Sequence, residues 1–165
     1  MPLVVLPTMA IEGMSTEEIF TRMERGSPDA LAAGLEALRV RAGESQDELV
    51  GALRHESPIR RWAAATSLAG VRDRTRELTE ALDDGDVRVR VAAAQSLARL
   101  NSRDAIPVLI EALTSNQVML GHPPVLVADH AAQVLEFVTG TSPAAPQDNR
   151  EARAARWREW WGRQR

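Results

Sequence analysis

An all-α fold, a right-handed α-solenoid of about four helical hairpins closed at its N-terminal end by a cap helix, is predicted by three features of this 165-residue chain. The chain repeats itself: residues 57–71 (SPIRRWAAATSLAGV) return as residues 86–100 (DVRVRVAAAQSLARL), so that Ala63, Ala64, Ala65, Ser67, Leu68 and Ala69 recur 29 positions later as Ala92, Ala93, Ala94, Ser96, Leu97 and Ala98. Within each unit the apolar residues keep helical spacing, as at Val87, Val91, Ala94, Leu97 and Ala98 and again at Ile106, Leu109, Ile110 and Leu113. Capping residues and glycines punctuate both runs where helices should begin and end. A hairpin with one apolar stripe on each helix cannot bury that stripe alone, so such units stack.

The elements follow in chain order. Residues 1–26 form an N-terminal segment and a cap helix; Val4, Val5 and Leu6 make the segment apolar, suited to covering the first hairpin or to docking on a partner. The capping-box spacing Ser15-x-x-Glu18 starts the cap helix, which spans 15–25. The repeats occupy about 27–55, 57–84, 86–115 and 124–165, within a repeat domain of 27–165. Ser27-Pro28 and Ser57-Pro58 place an N-cap hydroxyl before a proline at the first helical position, where the missing N–H costs nothing. Ser45-x-x-Glu48 and Asp148-x-x-Glu151 are further capping-box patterns, and Gly26, Gly43, Gly70 and Gly140 mark stops. Pro107 falls in the first turn after Asp104, where it does not break a helix.

Residues 114–124 (TSNQVMLGHPP) interrupt the pattern, because Val87 to Val125 is 38 residues where the preceding second helices are 31 apart. This seven-residue insertion is expected to expose Val118, Met119 and Leu120 in a row, either packed over the core or gripping a partner. In the fourth unit Ala131, Ala132, Gln133 and Leu135 repeat Ala93, Ala94, Gln95 and Leu97. Carrying the register into the last helix puts Trp157 at the Leu109 position and Trp161 at the Leu113 position. Both are expected in the core, sealing the open end and leaving Trp160 for a partner.

Val89-Arg90, Ala93-Ala94, Leu97 and Ala105-Ile106-Pro107-Val108-Leu109 together resemble HEAT repeats, specifically the short bacterial HEAT-like type named after the phycobilisome lyases. The second unit shares Arg61, Ala64-Ala65 and Leu68 but lacks Ala-Ile-Pro, and the fourth has Ala128 where the arginine belongs. Thr139-Gly140 followed by Trp157, Trp160 and Trp161 is similar to the ending of many bacterial HEAT-like proteins. The resemblance covers about 27–165 and implies the solenoid; it does not carry bilin attachment with it.

Composition narrows the function classes. The chain is 44% hydrophobic and 26% charged with a net charge of −3, and it has 26 Ala and six aromatic residues, none of them Tyr. Zero Cys removes disulfides, thiol nucleophiles and thiolate metal sites. The opening MPLVVL lacks a basic n-region and meets Pro7 too early for a signal peptide or membrane span, so a cytoplasmic protein without membrane contact is expected. HEAT-repeat deoxyhypusine hydroxylases hold two irons with repeated His-Glu pairs. Here His55-Glu56 is the single pair, His122 sits in a Pro-rich loop and His130 on a helix, so no metal or other cofactor is expected. The serines Ser15, Ser27, Ser45, Ser57 and Ser102 fall at helix caps, with no GxSxG elbow and no phosphate loop, and the chain reads as a non-enzyme.

Two partner classes remain. The last helix, from Arg150 to Arg165, holds six Arg against Glu151 and Glu159, which suggests a nucleic-acid-binding or DNA-repair-like protein similar to the HEAT-like alkylpurine DNA glycosylases. Second helices of HEAT solenoids usually line the concave face, however, and here they carry Glu48, Glu77, Glu80, Glu111 and Glu159. Such a stripe repels phosphate and attracts a basic protein face. The reading favoured by the residues is a protein–protein interaction scaffold or adaptor with an unidentified protein partner, bound through those five Glu with Met119, Leu120 and Trp160.

Overall fold

The computed structural model of the chain describes residue 11, residues 13–121 and residues 123–164. Nine α-helices run through the described residues: α1 (Thr16–Arg25), α2 (Pro28–Arg41), α3 (Gln46–Ala52), α4 (Pro58–Ser67), α5 (Thr75–Glu80), α6 (Val87–Arg99), α7 (Ala105–Ala112), α8 (Val127–Thr139) and α9 (Arg150–Gly162). Short 3-10 turns at Arg72–Arg74 and Ala81–Asp83 bracket α5. Helices α2, α4, α6 and α8 form one layer, each packed on the next, and α3, α5, α7 and α9 return behind them. This is the all-α stack of hairpins that the repeat predicts.

The core is built where first helices meet. Ala63, Ala64 and Ala65 of α4 and Ala93 and Ala94 of α6 have no exposed surface, so two backbones approach with only methyl groups between them. Val89, Val91 and Leu97 of α6, Leu78 of α5, Leu109 and Leu113 around α7 and Leu135 of α8 fill the space between the layers. Helix α6 touches α4, α5, α7 and α8 and buries Val87, Val89, Val91, Ala92, Ala93, Ala94, Ser96, Leu97 and Ala98.

The turns between units are held by one arginine per repeat. Arg61 Nη1 donates to the carbonyls of His55 (2.9 Å) and Glu56 (2.8 Å). Arg90 Nη1 donates to the carbonyls of Asp84 (2.8 Å) and Gly85 (3.4 Å), so donor and both acceptors recur at the same spacing. Arg61 also grips the Asp84 carboxylate through Nε (2.7 Å) and Nη2 (3.0 Å), which joins the second unit to the turn that opens the third. Ala128 cannot supply this clamp to the fourth unit. There Arg150, at the start of α9, donates to the carbonyl of Ser115 at 3.1 Å and to Asn116 Oδ1 instead.

The cap helix is tied on by polar and apolar contacts together. Ser15 and Glu18 make the expected reciprocal capping box at its start. The buried Arg60 of α4 reaches Glu17 at 2.8 Å and Glu24 at 3.0 Å, bonds Thr21 Oγ1 at 3.3 Å and lies over the Phe20 ring, all on α1. Burial raises the Glu24 pKa, and the hydrogen bond and charge of Arg60 more than offset this, holding the carboxyl below its usual value. Gly34 of α2 lets α1 approach, since a Cβ there would stand 2.4 Å from Met23 Cγ. Ile11 is buried as well; residues 1–10, with Val4, Val5 and Leu6, lie outside the described residues.

Several expected details differ. Ser45 precedes α3 but makes no capping bond: its backbone is not extended (φ −108°, ψ 27°), and its hydroxyl accepts from Thr16 on α1 at 3.5 Å. Ser57 does not cap α4 either; its own amide donates to His55 Nδ1 at 3.0 Å. Helix α9 is capped by Asn149, whose side chain accepts from the Ala152 amide, while Asp148 accepts from Ala145 N and pairs with Arg156 at 2.6 Å. Ser102 precedes α7 by a turn, and its hydroxyl accepts from the Asp104 amide at 3.4 Å.

Two substitutions test these contacts. Ser96 and Ser67 share a repeat position and are both buried, yet Ser96 Oγ donates to the Ala65 carbonyl at 2.7 Å while Ser67 Oγ has no partner. In urea unfolding, Ser96→Ala should cost about 1 kcal/mol and Ser67→Ala should be neutral or stabilising; equal losses would contradict the assignment. Arg60→Met should cost about 2 kcal/mol, because a partly buried carboxylate loses its cation. Hydrogen exchange should then rise in α1 and stay slow in α6.

Candidate functional site

The described residues of the insertion, 114–121 and 123–124, form a strap lying on the first-helix layer. Val118 and Leu126 form an isolated antiparallel bridge, flanked by Met119 N to Val125 O and Val127 N to Gln117 O, both at 2.8 Å. Gly121 turns the tip with φ +120°, a conformation that L side chains rarely adopt. The expected exposed triplet is divided by this geometry: Val118 is 46% exposed, whereas Met119 and Leu120 pack on the core. Of the two uses open to the insertion, packing over the core is what Met119 and Leu120 do. The strap leaves Trp62, at the repeat position of Val91, only 4% exposed.

A groove of about 360 Å³ runs beneath and beside the strap, with walls from α2 (Leu35, Glu36, Arg39), α4 (Trp62, Thr66), α6 (Gln95) and α8 (His130). It continues into a slot of about 420 Å³ between α6 and α8, sharing Gln95 and His130 and ending at Phe137. A depression spanning four units therefore lies on the first-helix side. The grooves on the other side are bounded by adjoining second helices, α3 with α5 and α7 with α9. The large apolar side chains exposed among the described residues are Val40 (77%), Val118 and Phe137 (80%). Val40 and Phe137 occupy one repeat position at the two ends of the first-helix layer, and Val118 rides on the strap between them.

Of the glutamates of the second helices, Glu48, Glu80, Glu111 and Glu159 are exposed and Glu77 is half-buried. Most carry their own counter-charge. Glu80 meets Arg54 at 2.8 Å and Arg76 at 3.2 Å, and these bonds hold its carboxyl below the usual range. Glu77 meets Arg74 at 3.6 Å, Glu111 meets Arg90 at 3.8 Å and Glu159 pairs with Arg163; Glu48 alone of the five makes no ion pair among the described residues. Three of the four arginines of α9 are similarly engaged, Arg153 with Asp129, Arg156 with Asp148 and Arg150 with the strap's first turn, while Arg158 makes no ion pair among the described residues.

Trp157 is fully buried as expected, but Trp161 is not core. Trp161 lines the open groove between α7 and α9, so it is half-buried, stacked on Trp160 (6.3 Å, 27°) with Arg103 over its ring. Trp160 is half-buried too, edge-on against Trp157. Both rings thus keep part of their surface exposed. Among the described residues no three His, Cys, Asp or Glu side chains converge, and no helix is long and apolar enough to cross a membrane. His55 and His130 make the local bonds given above and below; His122 lies outside the described residues.

Phe137, Val40 and Arg99 were not anticipated as site residues. The repeat alignment contains the signal, since Val40, Gly70, Arg99 and Phe137 share one exposed position and its apolar occupants stand out.

Helical hairpins stacked in register, with a groove shared by successive units, define an α-solenoid repeat protein. A family model for HEAT repeats matches residues 46–121 and 75–145, more than half of the chain, and the chain belongs to the HEAT-repeat family. The match is to HEAT repeats at large and does not single out the phycobilisome-lyase-like type. No curated protein matches the chain. HEAT repeats generally mediate protein–protein interaction.

His130 gives the groove a pH signature. Its Nε2 lies 3.2 Å from Gln95 Oε1, and burial lowers its pKa below 6.5. As pH falls below that value the unfolded chain takes up a proton that the folded chain does not, so stability falls until the folded-state pKa is passed. His130→Gln should lose less stability than the parent between pH 7 and pH 5 in urea titrations. Identical losses would show that the imidazole is not buried.

Proposed function

We propose that the chain is a non-enzymatic protein-interaction module that grips its partner across the first-helix layer. The observation that carries this reading is Phe137, exposed at the end of the slot that extends the four-unit groove, with Val40 exposed at the same repeat position of α2 and Val118 exposed on the strap. Exposed apolar anchors beside a groove are where binding energy concentrates in protein interfaces. The acidic stripe is the rival surface for a basic partner. Docking there would have to displace the Arg partners of Glu77, Glu80, Glu111 and Glu159, which weakens its pull on an incoming cation. Nucleic acid is supported less, because most arginines of α9 are already bonded within the chain.

The test compares two double variants of the tagged full chain as baits in lysate of its native host. Val40→Glu with Phe137→Glu should deplete the captured protein at least about tenfold, while Glu80→Arg with Glu111→Arg should leave it in place. The opposite pattern would move the interface to the second helices.

A further inference from the structure

The slot between α6 and α8 has a chemistry of its own. Ala98, Val134 and the Phe137 ring make its apolar sides, and Gln95 with His130 lines the end it shares with the groove beside the strap. Arg99, the last residue of α6, stands exposed at its rim and makes no ion pair or side-chain hydrogen bond among the described residues. The neighbouring charges of this layer are engaged: Arg39 pairs with Glu36, Asp129 pairs with Arg153, and Glu136 accepts from the Ser142 hydroxyl at 2.6 Å. Position at a helix C-terminus favours the Arg99 cation without occupying its donors. The slot therefore offers one apolar recess beside one uncompensated guanidinium, and a guanidinium can hold a carboxylate through two parallel hydrogen bonds.

We propose that this slot takes an acidic peptide segment of a partner protein, inserting an aliphatic or aromatic side chain against Phe137 and pairing an adjacent Asp or Glu with Arg99. The inference rests on the docking face proposed above and specifies what that face selects. Its charge preference is opposite to the basic partner that the glutamate stripe suggests. A basic segment would place its cation against Arg99, and a polyanion would find a single free cation here where phosphate tracking needs several.

Panning a phage-displayed random peptide library on the immobilised full chain tests this directly. Enriched peptides should carry an apolar residue next to Asp or Glu. Synthetic peptides of that consensus, followed by fluorescence anisotropy, should lose at least about tenfold in affinity to Arg99→Glu and to Phe137→Ser. A peptide with Lys in place of the acidic residue should bind Arg99→Glu better than the parent protein. Basic consensus sequences, no enrichment over an empty support, or binding indifferent to Arg99→Glu would each overturn the proposal. A failed selection beside an intact Val40/Phe137 dependence in the lysate experiment removes the acidic specificity alone; loss of that dependence removes the docking face.

Discussion

Everything in this molecule depends on how closely its first helices approach. No hairpin here has a core of its own; Leu78, Leu97, Leu109 and Leu135 have no exposed surface and belong to one hydrophobic cluster that runs through successive units. Alanine triplets at the seam between α4 and α6 let the backbones come together, and interior packing leaves little tolerance for a larger side chain there. Arginines 61 and 90 then fix the angle at which each unit leaves the last, because a guanidinium bonded to two successive carbonyls holds a turn in one orientation. Apolar contact sets the spacing, and the clamps set the register.

Most of this frame was legible in the sequence, and the reasons differ by feature. Periodicity and the internal repeat located the helices because they report on burial, which every unit solves in the same way. Trp157 was placed in the core by register alone. Capping hydroxyls were less legible, since a Ser at a helix start is used only if its backbone is extended: Ser15 and Ser27 are, and Ser45 is not. Arg60 and Arg61 are identical letters side by side. One turns to the cap helix and the other to the inter-repeat turn, because adjacent residues on a helix point in different directions.

The proposed docking surface was the least legible part. Residue type favoured the glutamates, but a charge counts for a partner only if the fold leaves it unpaired, and long Arg side chains from adjoining helices reach most of them. Conversely, the groove exists because an insertion crosses the first-helix layer. Nothing in the composition of 114–124 says which face it will cover; that follows from where α7 ends and α8 begins. The strap and Trp62 wall the same groove, while Val40 and Phe137 on the outer helices stay uncovered.

The substitution of Arg150 for the missing clamp at position 128 bears on how an array of this kind can grow. Units two and three each carry, on the first helix, the clamp for the turn before them. The fourth unit holds that turn from its second helix instead. A middle unit could therefore be duplicated with its clamp intact on the first helix alone, whereas the fourth keeps its hold only if both of its helices travel together. Growth of such an array is thus constrained by which helix of a unit carries the arginine.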